Sequence, residues 1–320
     1  RASCTSTVRP FFSWVFSTAM STVADAAVAP LTSALAIQRS LLGDDHPELA
    51  ETLNALGMVE QNRNRLELAE SHYRAALAIR TRVLGPRHAH TATSRNNLAA
   101  VLYQRRDFAA AAPIFRENLE QQRETLGPDH ASVATSMTNL GVVLVNLGDL
   151  DGAEPLYRDA LRIRTAVYGD RHKSVAATRY YLARLLRDRG NPGEAEKLMR
   201  RSIPDIPDTD SNLAALYLDL GEMLLAQGRL DEARPLIEDA VRLHAKVDGP
   251  DHWRTAAARS ARGAWRLRTG DRKTAEDDLE WAWTVLSKRP EDDHRRRSAH
   301  DRLAGLYRSS GRDREAAELR

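Results

Sequence analysis

Apolar and small residues recur at helical spacing along most of the chain. In residues 131–167 they form one face over the first half and another over the second half, and Gly148 and Asp149 interrupt the pattern. The first face comprises Val133, Met137, Leu140, Gly141 and Leu144, and the second comprises Leu150, Ala153, Tyr157, Ala160 and Leu161. Apolar positions three and four residues apart are typical of amphipathic helices, and a glycine between two such runs indicates a turn. The pattern predicts a helix, a tight turn and a second helix.

This unit repeats with a period of 42 residues, and each copy ends in a phrase that contains a histidine. The phrases are LGDDH, LGPRH, LGPDH, YGDRH, DGPDH and PEDDH. Their histidines are His46, His88, His130, His172, His252 and His294, spaced by 42, 42, 42, 80 and 42 residues. Such a period is typical of a solenoid, in which each unit buries its apolar face only against its neighbours. We expect an all-α solenoid of stacked helical pairs.

Small residues recur at one position of each helix in a pair. In the first helices they are Gly57, Ala99, Gly141, Ala183, Gly221 and Gly263. In the second helices they are Ala69, Ala111, Ala153, Ala195, Ala233 and Ala275. A small side chain lets two helices approach to the low end of the roughly 8–10 Å packing range. We therefore expect the paired helices to touch at these positions.

The histidines lie beside aspartates, a combination found in metal sites. Equivalent positions in stacked pairs are at least a helix diameter apart, so these side chains cannot converge on one ion. We predict instead that the glycine before each histidine adopts a left-handed conformation at the end of the second helix. An Asp or His side chain then caps the next helix. Neither a metal site nor a cofactor is expected.

One joint departs from the period. The spacing of 80 is four short of two periods, and the missing residues fall within 203–211. Pro204 and Pro207 are expected to end the second helix of the fourth repeat early, and Asp208 or Asp210 to cap the following helix. The predicted organisation is a tail or degenerate helix over 1–22, repeats over 23–203, a joint over 204–211 and repeats over 212–320. The joint is either a hinge or a deletion without functional consequence.

The ends of the chain leave alternatives open. Residues 11–20 are apolar but shorter than the roughly twenty residues that span a bilayer. They belong either to a signal peptide, with Arg9 before them and a small-residue site at 24–26, or to a degenerate helix. The start at Arg1 suggests a piece of a longer protein, and the last repeat stops a few residues into its second helix. An uncapped last repeat should fray or pair with another molecule.

Composition excludes several functions. Lys and Arg number 47 against 44 Asp and Glu, and the interspersed charges argue against nucleic acid binding. The single cysteine, Cys4, cannot form an intramolecular disulfide, and a reducing, cytoplasmic setting fits. P-loop, GxSxG, HExxH and CxxC motifs do not occur, so we predict no enzyme activity within this segment.

A basic cluster at residues 294–297 continues to His300 and Arg302. It is either a phosphate-binding patch or the solvated start of a helix. The interleaved acids favour the second interpretation, and they are Glu291, Asp292, Asp293 and Asp301.

The unit resembles the tetratricopeptide repeat, whose pattern is reproduced by Leu140, Gly141, Gly148, Ala153, Tyr157 and Ala160. The 42-residue period and the LGPDH phrase resemble the kinesin light chain type of this repeat. The resemblance covers about residues 24–320, and it recurs although single copies depart from it. Asn118 and Ser202 replace an alanine, Pro192 replaces a turn hydrophobe, and Arg262 replaces a core leucine.

The resemblance implies a right-handed superhelix with a concave groove, lined by the first helices, that binds a partner's peptide or helix. Carried over by register, the groove residues are Asn54, Gln61, Asn62, Asn96, Tyr103, Gln104, Thr138, Asn146, Tyr180, Arg184 and Arg187. The amides can hydrogen-bond a peptide backbone, and Arg184 and Arg187 can clamp a carboxylate or phosphate. We therefore expect a protein or peptide partner, acidic in character. The alternative is that these polar side chains are only solvated.

The last repeats also resemble the C-terminal repeats of bacterial serine/threonine protein kinases. The matching runs begin at Gly249 and His294. Kinase motifs such as HRD and DFG do not occur in these 320 residues. The resemblance therefore implies, as an alternative function, the regulatory region of a larger signalling enzyme.

Overall fold

The computed structural model describes residues 18–291 and 293–319, with side chains from Ala26 onward. Within these ranges the chain forms fifteen α-helices and one 3-10 helix, and no β-strand. The helices are α1 (Thr18–Leu42), α2 (Pro47–Asn62), α3 (Leu66–Leu84), α4 (Ala89–Gln104), α5 (Phe108–Leu126), α6 (Ala131–Asn146), α7 (Leu150–Tyr168), α8 (Lys173–Asp188), α9 (Pro192–Ser202), the 3-10 helix (Ile203–Asp205), α10 (Ser211–Ala226), α11 (Leu230–Val247), α12 (Trp253–Thr269), α13 (Arg272–Leu286), α14 (His294–Ser309) and α15 (Asp313–Glu318).

The chain divides into two compact units, unit 1 (residues 1–185) and unit 2 (residues 186–320), and α8 contributes to both. In unit 1, each helix from α1 to α6 packs against the helix that follows it. In unit 2 the same holds for α10 to α14, and α12 also contacts α10 and α14. Each unit is therefore a stack of helix-turn-helix pairs, with first helices beside first helices. The predicted all-α repeat fold is confirmed.

The two helices of a pair meet where the sequence predicts close approach. A Cβ atom added to Gly57 would lie 2.6 Å from Cε1 of Tyr73, closer than carbon atoms tolerate. The same added atom would lie 2.7 Å from the facing side chain in the pairs Gly141 and Tyr157, Gly221 and Ile237, and Gly263 and Leu279. The six predicted alanines of the second helices are fully buried. A large side chain of the second helix thus fills the space that the small residue leaves.

The histidine phrases form the loops between pairs. In five of them Nδ1 of the histidine accepts a hydrogen bond from the backbone N–H two residues later, at 3.1–3.4 Å. These histidines are His46, His88, His130, His172 and His252. In the sixth loop Oδ1 of Asp293 takes this place, accepting from the N–H of Arg295 at 2.8 Å. His294 is therefore the first residue of α14, and the register of that helix is shifted by one residue relative to the histidine spacing.

The glycines of these loops differ from the prediction in one angle. Gly85, Gly127 and Gly169 have φ of 80–87°, as expected, but ψ of 155–161°. The predicted left-handed helical conformation is therefore wrong, since that conformation has ψ near +47°. The observed region is one that essentially only glycine adopts, because a Cβ atom is excluded there. The chain leaves the second helix in an extended direction that aligns the next histidine.

The fourth pair is shortened as predicted. Helix α9 has 11 residues, whereas α7 has 19. The 3-10 helix contains Pro204, and Oδ1 of Asp210 accepts a hydrogen bond from the N–H of Asn212 at 2.9 Å. Of the two candidate aspartates, Asp210 is thus the cap of α10. The boundary between the compact units falls at residues 185–186, within α8, rather than at this joint.

Helix α1 begins at Thr18, so residues 18–22 continue the helix that the sequence places from residue 23. The rest of the predicted tail lies outside the described residues. Leu35 of α1 packs against a buried cluster shared by α2 and α3, as expected for the second helix of a half pair. None of the helices in the described ranges is both long and apolar enough to cross a membrane.

Candidate functional site

Asparagines of adjacent first helices are hydrogen-bonded to each other in unit 1. Nδ2 of Asn97 on α4 donates to Oδ1 of Asn54 on α2 at 2.8 Å. Nδ2 of Asn139 on α6 donates to Oδ1 of Asn96 on α4 at 3.1 Å. We call these two contacts the asparagine row. It connects three consecutive first helices on one face.

A second set of contacts, which we call the glutamine row, lies nearer the C-terminal ends of the same helices. Nε2 of Gln61 donates to Oε1 of Gln104 at 3.0 Å, and the hydroxyl of Tyr73 donates to Oε1 of Gln61 at 2.8 Å. Nδ2 of Asn146 donates to the hydroxyl of Tyr103 at 3.5 Å. Burial raises the pKa of Tyr73 far above its usual value, so its hydroxyl stays protonated and acts as the hydrogen-bond donor. Two pairs of predicted groove residues, Gln61 with Gln104 and Tyr103 with Asn146, therefore contact each other across the repeats.

The rows also contain two residues that the groove register omits, Asn97 and Asn139. Each lies 43 residues after the asparagine that it contacts, which is one period plus one residue. The same spacing relates Gln61 to Gln104. Side-by-side helices offset by one residue place such positions next to each other. A search for amides 43 residues apart would have found both rows in the sequence.

Each amide in the rows uses only part of its hydrogen-bonding capacity. Oδ1 of Asn96 accepts from Asn139, and the Nδ2 group of Asn96 remains available as a donor. Oε1 of Gln104 accepts from Gln61, and the Nε2 group of Gln104 also remains available as a donor. Asn96 and Gln104 are both half-buried. An amide has two donor hydrogens and an acceptor oxygen, so the rows fix its orientation and leave its NH2 hydrogens unengaged.

The other predicted groove residues of unit 1 differ in accessibility. The hydroxyl of Thr138 donates to the backbone oxygen of Ala134 at 2.8 Å, and Thr138 is only 5% exposed. Asn62 is half-buried at the end of α2. Tyr180 is buried, and the guanidinium of Arg184 lies 5.8 Å from its ring centre. Thr138 therefore serves its own helix, while Arg184 is held beside an aromatic ring.

Arg184 also influences tyrosines of neighbouring repeats. Burial raises the pKa of Tyr103, and the hydrogen bond from Asn146 and the charge of Arg184 oppose this rise. Burial likewise raises the pKa of Tyr157, again against the charge of Arg184. The ring of Tyr181 lies between those of Tyr157 and Tyr180, 6.1 Å from each. The face of unit 1 thus ends in a cluster of tyrosines around one cation.

In unit 2, the first helices carry ion pairs instead of amides. On α10, Asp219 and Glu222 accept from Arg295 of α14 at 3.3 and 3.0 Å. Arg302 of α14 donates to Glu222 at 2.8 Å and to Oγ of Ser260 on α12 at 3.1 Å. We call these contacts the arginine strap. The ion pairs among them pass over α12 and connect residues 73–80 positions apart in the sequence.

The strap changes the interpretation of two predicted features. Arg187 pairs with Asp188 at 2.9 Å and with Asp219 at 3.3 Å, so two carboxylates already engage it. Arg295 and Arg302 were expected to be neutralised by nearby acids, but they pair with α10. Burial alone would raise the pKa of Glu222, yet the charges of Arg295 and Arg302 hold it below its ordinary value. Glu222 is thus ionised, and both acids of α10 are paired with arginines.

No cluster of three or more His, Cys, Asp or Glu side chains suited to a metal ion occurs in the described part of the chain. The capping histidines His46, His88, His130, His172 and His252 each lie in a different loop.

The stacked pairs, the small residues at their crossings and the polar face of the first helices define a helical-repeat protein. The sequence pattern of the tetratricopeptide repeat family matches residues 24–80, 50–117, 91–166, 133–204 and 212–288. The chain belongs to this family. Among proteins with curated functions, none matches the chain in sequence.

Several solved structures share the fold. BtubC (BKLC) from P. vanneervenii is 21% identical with a TM-score of 0.59, over 71% of this chain and 92% of that one. Kinesin light chain nearly identical TPR-like repeats from Podosopora anserina are 21% identical with a TM-score of 0.53, over 63% of this chain and 98% of that one. The quorum sensor NprR from B. thuringiensis, in its apo form, is 15% identical with a TM-score of 0.72, over 93% of this chain and 82% of that one. These identities demonstrate the fold alone.

Proposed function

We propose that the chain is a protein-interaction scaffold that binds an extended peptide segment of a partner on the first helices of unit 1. Membership of the tetratricopeptide repeat family supports a scaffold, and the fold is typically non-catalytic. The observation that carries the finer proposal is the pair of amide rows. They present oriented amide donors at repeating positions along one face.

An extended peptide has backbone carbonyl and N–H groups at regular spacing, and both find partners on an amide. Free amide side chains lose rotamer freedom when they bind a ligand, which weakens binding. Here Asn139 already fixes Asn96, and Gln61 already fixes Gln104. Most of that entropy is lost on folding rather than on binding. The rows are therefore suited to a backbone ligand of little sequence preference.

Arg184 supports an acidic residue at one end of this peptide. Its guanidinium lies beside Tyr180 on the same face as the rows, and a planar guanidinium matches a carboxylate. Arg187, predicted as a second clamp residue, is paired with Asp188 and Asp219. We assign the acidic contact to Arg184 because of its place beside Tyr180 and near Tyr103 of the glutamine row, and Arg187 contributes only if a ligand displaces those carboxylates.

The test uses peptides selected from a random library on the full chain, with fluorescence anisotropy as the measure of affinity. In the double variant N96A/Q104A, both oriented donors of α4 are removed. We expect affinity to fall about tenfold or more, since each decade corresponds to about 1.4 kcal/mol. R184E should abolish binding of acidic peptides and spare neutral ones.

Two matched variants control for general effects. R116E reverses an exposed arginine on α5, and N212A removes a half-buried amide at the start of α10. Both should bind peptides like the wild type. Unchanged affinity of N96A/Q104A, with its helical circular dichroism intact, would show that the amide rows are not the binding face.

A free-standing scaffold and the regulatory region of a larger signalling enzyme would use the same face. The last repeats support the second possibility only through their resemblance to kinase-attached repeats. The residues encoded before Arg1 distinguish the two, since a kinase catalytic signature there would favour the regulatory region. A cytoplasmic setting is the one that we propose for either.

A further inference from the structure

Helix α12 has arginines at two positions where most other first helices have leucine. Three positions of α6 face its partner helix with buried Met137, Leu140 and Leu144. The residues 122 positions later, at the same places relative to His252, are Arg259, Arg262 and Arg266. The sequence shows Arg262 as an exception in the core pattern. The position of Arg259 is also arginine in α4 and α8, as Arg95 and Arg179, so Arg262 and Arg266 are the departures of this pair.

The three arginines surround one carboxylate. Asp278 of α13 is 1% exposed, and Nε of Arg259 donates to its Oδ1 at 2.8 Å. Nε and Nη2 of Arg262 donate to Oδ2 and Oδ1, each at 2.7 Å. Nη1 of Arg266 donates to Oδ2 at 2.7 Å. Burial would raise the pKa of Asp278, but the hydrogen bonds from Arg262 and Arg259 hold it below its ordinary value. This arginine cluster therefore contains an ionised Asp278.

The cluster has two more positive than negative charges. Glu238 is the further acid whose charge acts on Arg262, and Glu238 is paired with Arg234 at 3.0 Å. Adding that pair leaves the excess unchanged, whereas Asp271 at the start of α13, whose carboxylate interacts with the charge of Arg266, reduces it to one positive charge. The hydrogen bonds to Asp278 use a minority of the N–H donors that three guanidinium groups carry. Guanidinium N–H groups without a bond to Asp278, and an excess of positive charge, therefore remain between α12 and α13.

The guanidinium groups are fixed and accessible. Arg259 is stacked over the ring of Trp281 at 4.1 Å. Nη1 of Arg266 also donates to the backbone oxygen of Thr274 at 3.0 Å. The side chains of Arg259, Arg262 and Arg266 are 25%, 23% and 24% exposed. A ligand from solvent therefore reaches charges that are already in place.

Stability does not account for this arrangement. Replacing a buried ionic cluster with apolar residues of similar size is often neutral or stabilising. Leucine fits the position of Arg262 in the equivalent Leu140 and Leu220. A cluster with excess charge also bears the repulsion among its cations. The arginines are thus better explained by an anion that they bind.

We propose that Arg259, Arg262 and Arg266 form a binding site for a phosphate monoester, presented by a phosphorylated side chain of a partner protein. A phosphoryl group has about −1.5 to −2 charges at neutral pH and three acceptor oxygens, which suit the remaining positive charge and the guanidinium donors that Asp278 does not use. A carboxylate offers these donors two oxygens instead of three. The site belongs to unit 2, whereas the amide rows belong to unit 1. Failure of either proposal therefore leaves the other intact.

The first test titrates the full chain with inorganic phosphate at constant ionic strength in chloride. Isothermal titration calorimetry measures binding, and the difference in tryptophan fluorescence between the wild type and W281F isolates the signal of Trp281 among the five tryptophans. We expect saturable binding that is about tenfold weaker in R262L, because one charge and its donors are lost. R262L restores the leucine of the other repeats and should fold. D278N should bind phosphate more tightly than the wild type, because it removes the internal competitor.

The second test compares a phosphoserine peptide with its serine and glutamate versions. The phosphoserine peptide should bind, and the other two should bind at least tenfold more weakly. R242A serves as the control, since Arg242 is exposed and pairs with Asp239 instead of Asp278. Phosphate binding unchanged in R262L and D278N would overturn the site. Binding of inorganic phosphate without the phosphoserine peptide would overturn the assignment to a phosphorylated partner.

Discussion

Arg80 at the end of α3 donates from Nη1 to Oγ of Ser94 on α4 at 2.8 Å, and both side chains are buried. The contact recurs at every loop of unit 1, always between residues 14 positions apart. Its members are Gln38 and Thr52, Arg80 and Ser94, Gln122 and Ser136, and Arg164 and Thr178. Where the partner is glutamine, the Ser or Thr hydroxyl donates to the amide oxygen; where the partner is arginine, the hydroxyl accepts from the guanidinium. The contact joins each pair to the next one.

Removing the hydroxyl of this contact should destabilise unit 1. In S94A, Nη1 of Arg80 keeps only the backbone oxygen of His90, at 3.2 Å. We expect a loss of about 1–3 kcal/mol in the free energy of unfolding, because a buried charged donor loses a partner. Urea unfolding measures it. R80Q should cost less than R80M, since glutamine occupies this position in two other repeats. T93A, at an exposed neighbour, should unfold like the wild type.

A methyl group on Gly141 should disturb the crossing of α6 and α7. The added Cβ would meet the ring of Tyr157 at 2.7 Å, and the fully buried Ala153 leaves no room for the helices to adjust. We expect G141A to lower the free energy of unfolding by about 1–3 kcal/mol through overpacking. G193A is the matched control, because nothing lies within 4 Å of its added Cβ. It should stabilise by about 0.4–1 kcal/mol, since alanine restricts the unfolded chain. Equal melting temperatures for the two variants would contradict this packing argument.

Neutralising Glu222 should loosen the arginine strap. The carboxylate accepts from Arg302 at 2.8 Å and from Arg295 at 3.0 Å, and glutamine keeps its shape without its charge. We expect E222Q to cost about 1–3 kcal/mol, because hydrogen bonds between charged groups weaken. Hydrogen exchange of α14 should accelerate more than that of α6. E318Q alters an exposed pair with Arg314 and should change neither quantity measurably.

Stability should depend on pH through His252. Its Nδ1 caps α12 by accepting from the N–H of Arg254 at 3.4 Å, which requires an unprotonated nitrogen. Burial lowers the pKa of His252, against the charge of Asp248. Below about pH 6.5 the unfolded chain therefore binds more protons than the folded one, and the free energy of unfolding falls as pH decreases.

The variant H252N tests this dependence, because asparagine caps helices without titrating. Its free energy of unfolding should fall less steeply than that of the wild type as pH decreases below about 6.5. Parallel pH profiles for the two proteins would show that the cap of α12 does not titrate in this range.

Much of the fold follows from local patterns. The 42-residue period fixes the number of helical pairs, Gly57 and its equivalents fix where paired helices cross, and Pro204 marks the shortened pair. These features depend on residues close in sequence or on one repeated spacing. The left-handed helical conformation predicted for Gly85, Gly127 and Gly169 was wrong, because a positive φ is compatible with more than one ψ for glycine.

The candidate site was predicted less completely. The register placed Asn54, Asn96 and Gln104 on the first helices, but did not reveal that these amides bind one another. Asn97 and Asn139 were missed, because their role depends on the one-residue offset between adjacent helices. That offset comes from how the helices pack, and no single repeat encodes it.

The sequence by itself determined that this protein is a stack of helical pairs, since periodic apolar positions and small residues act within a pair or between neighbours. Only the tertiary structure decided which charged side chains form ion pairs with each other. Arg295 is 76 residues from Asp219, and Arg259, Arg262 and Arg266 meet Asp278 across a helix crossing. Charge pairing depends on distance and burial, and both are set by packing.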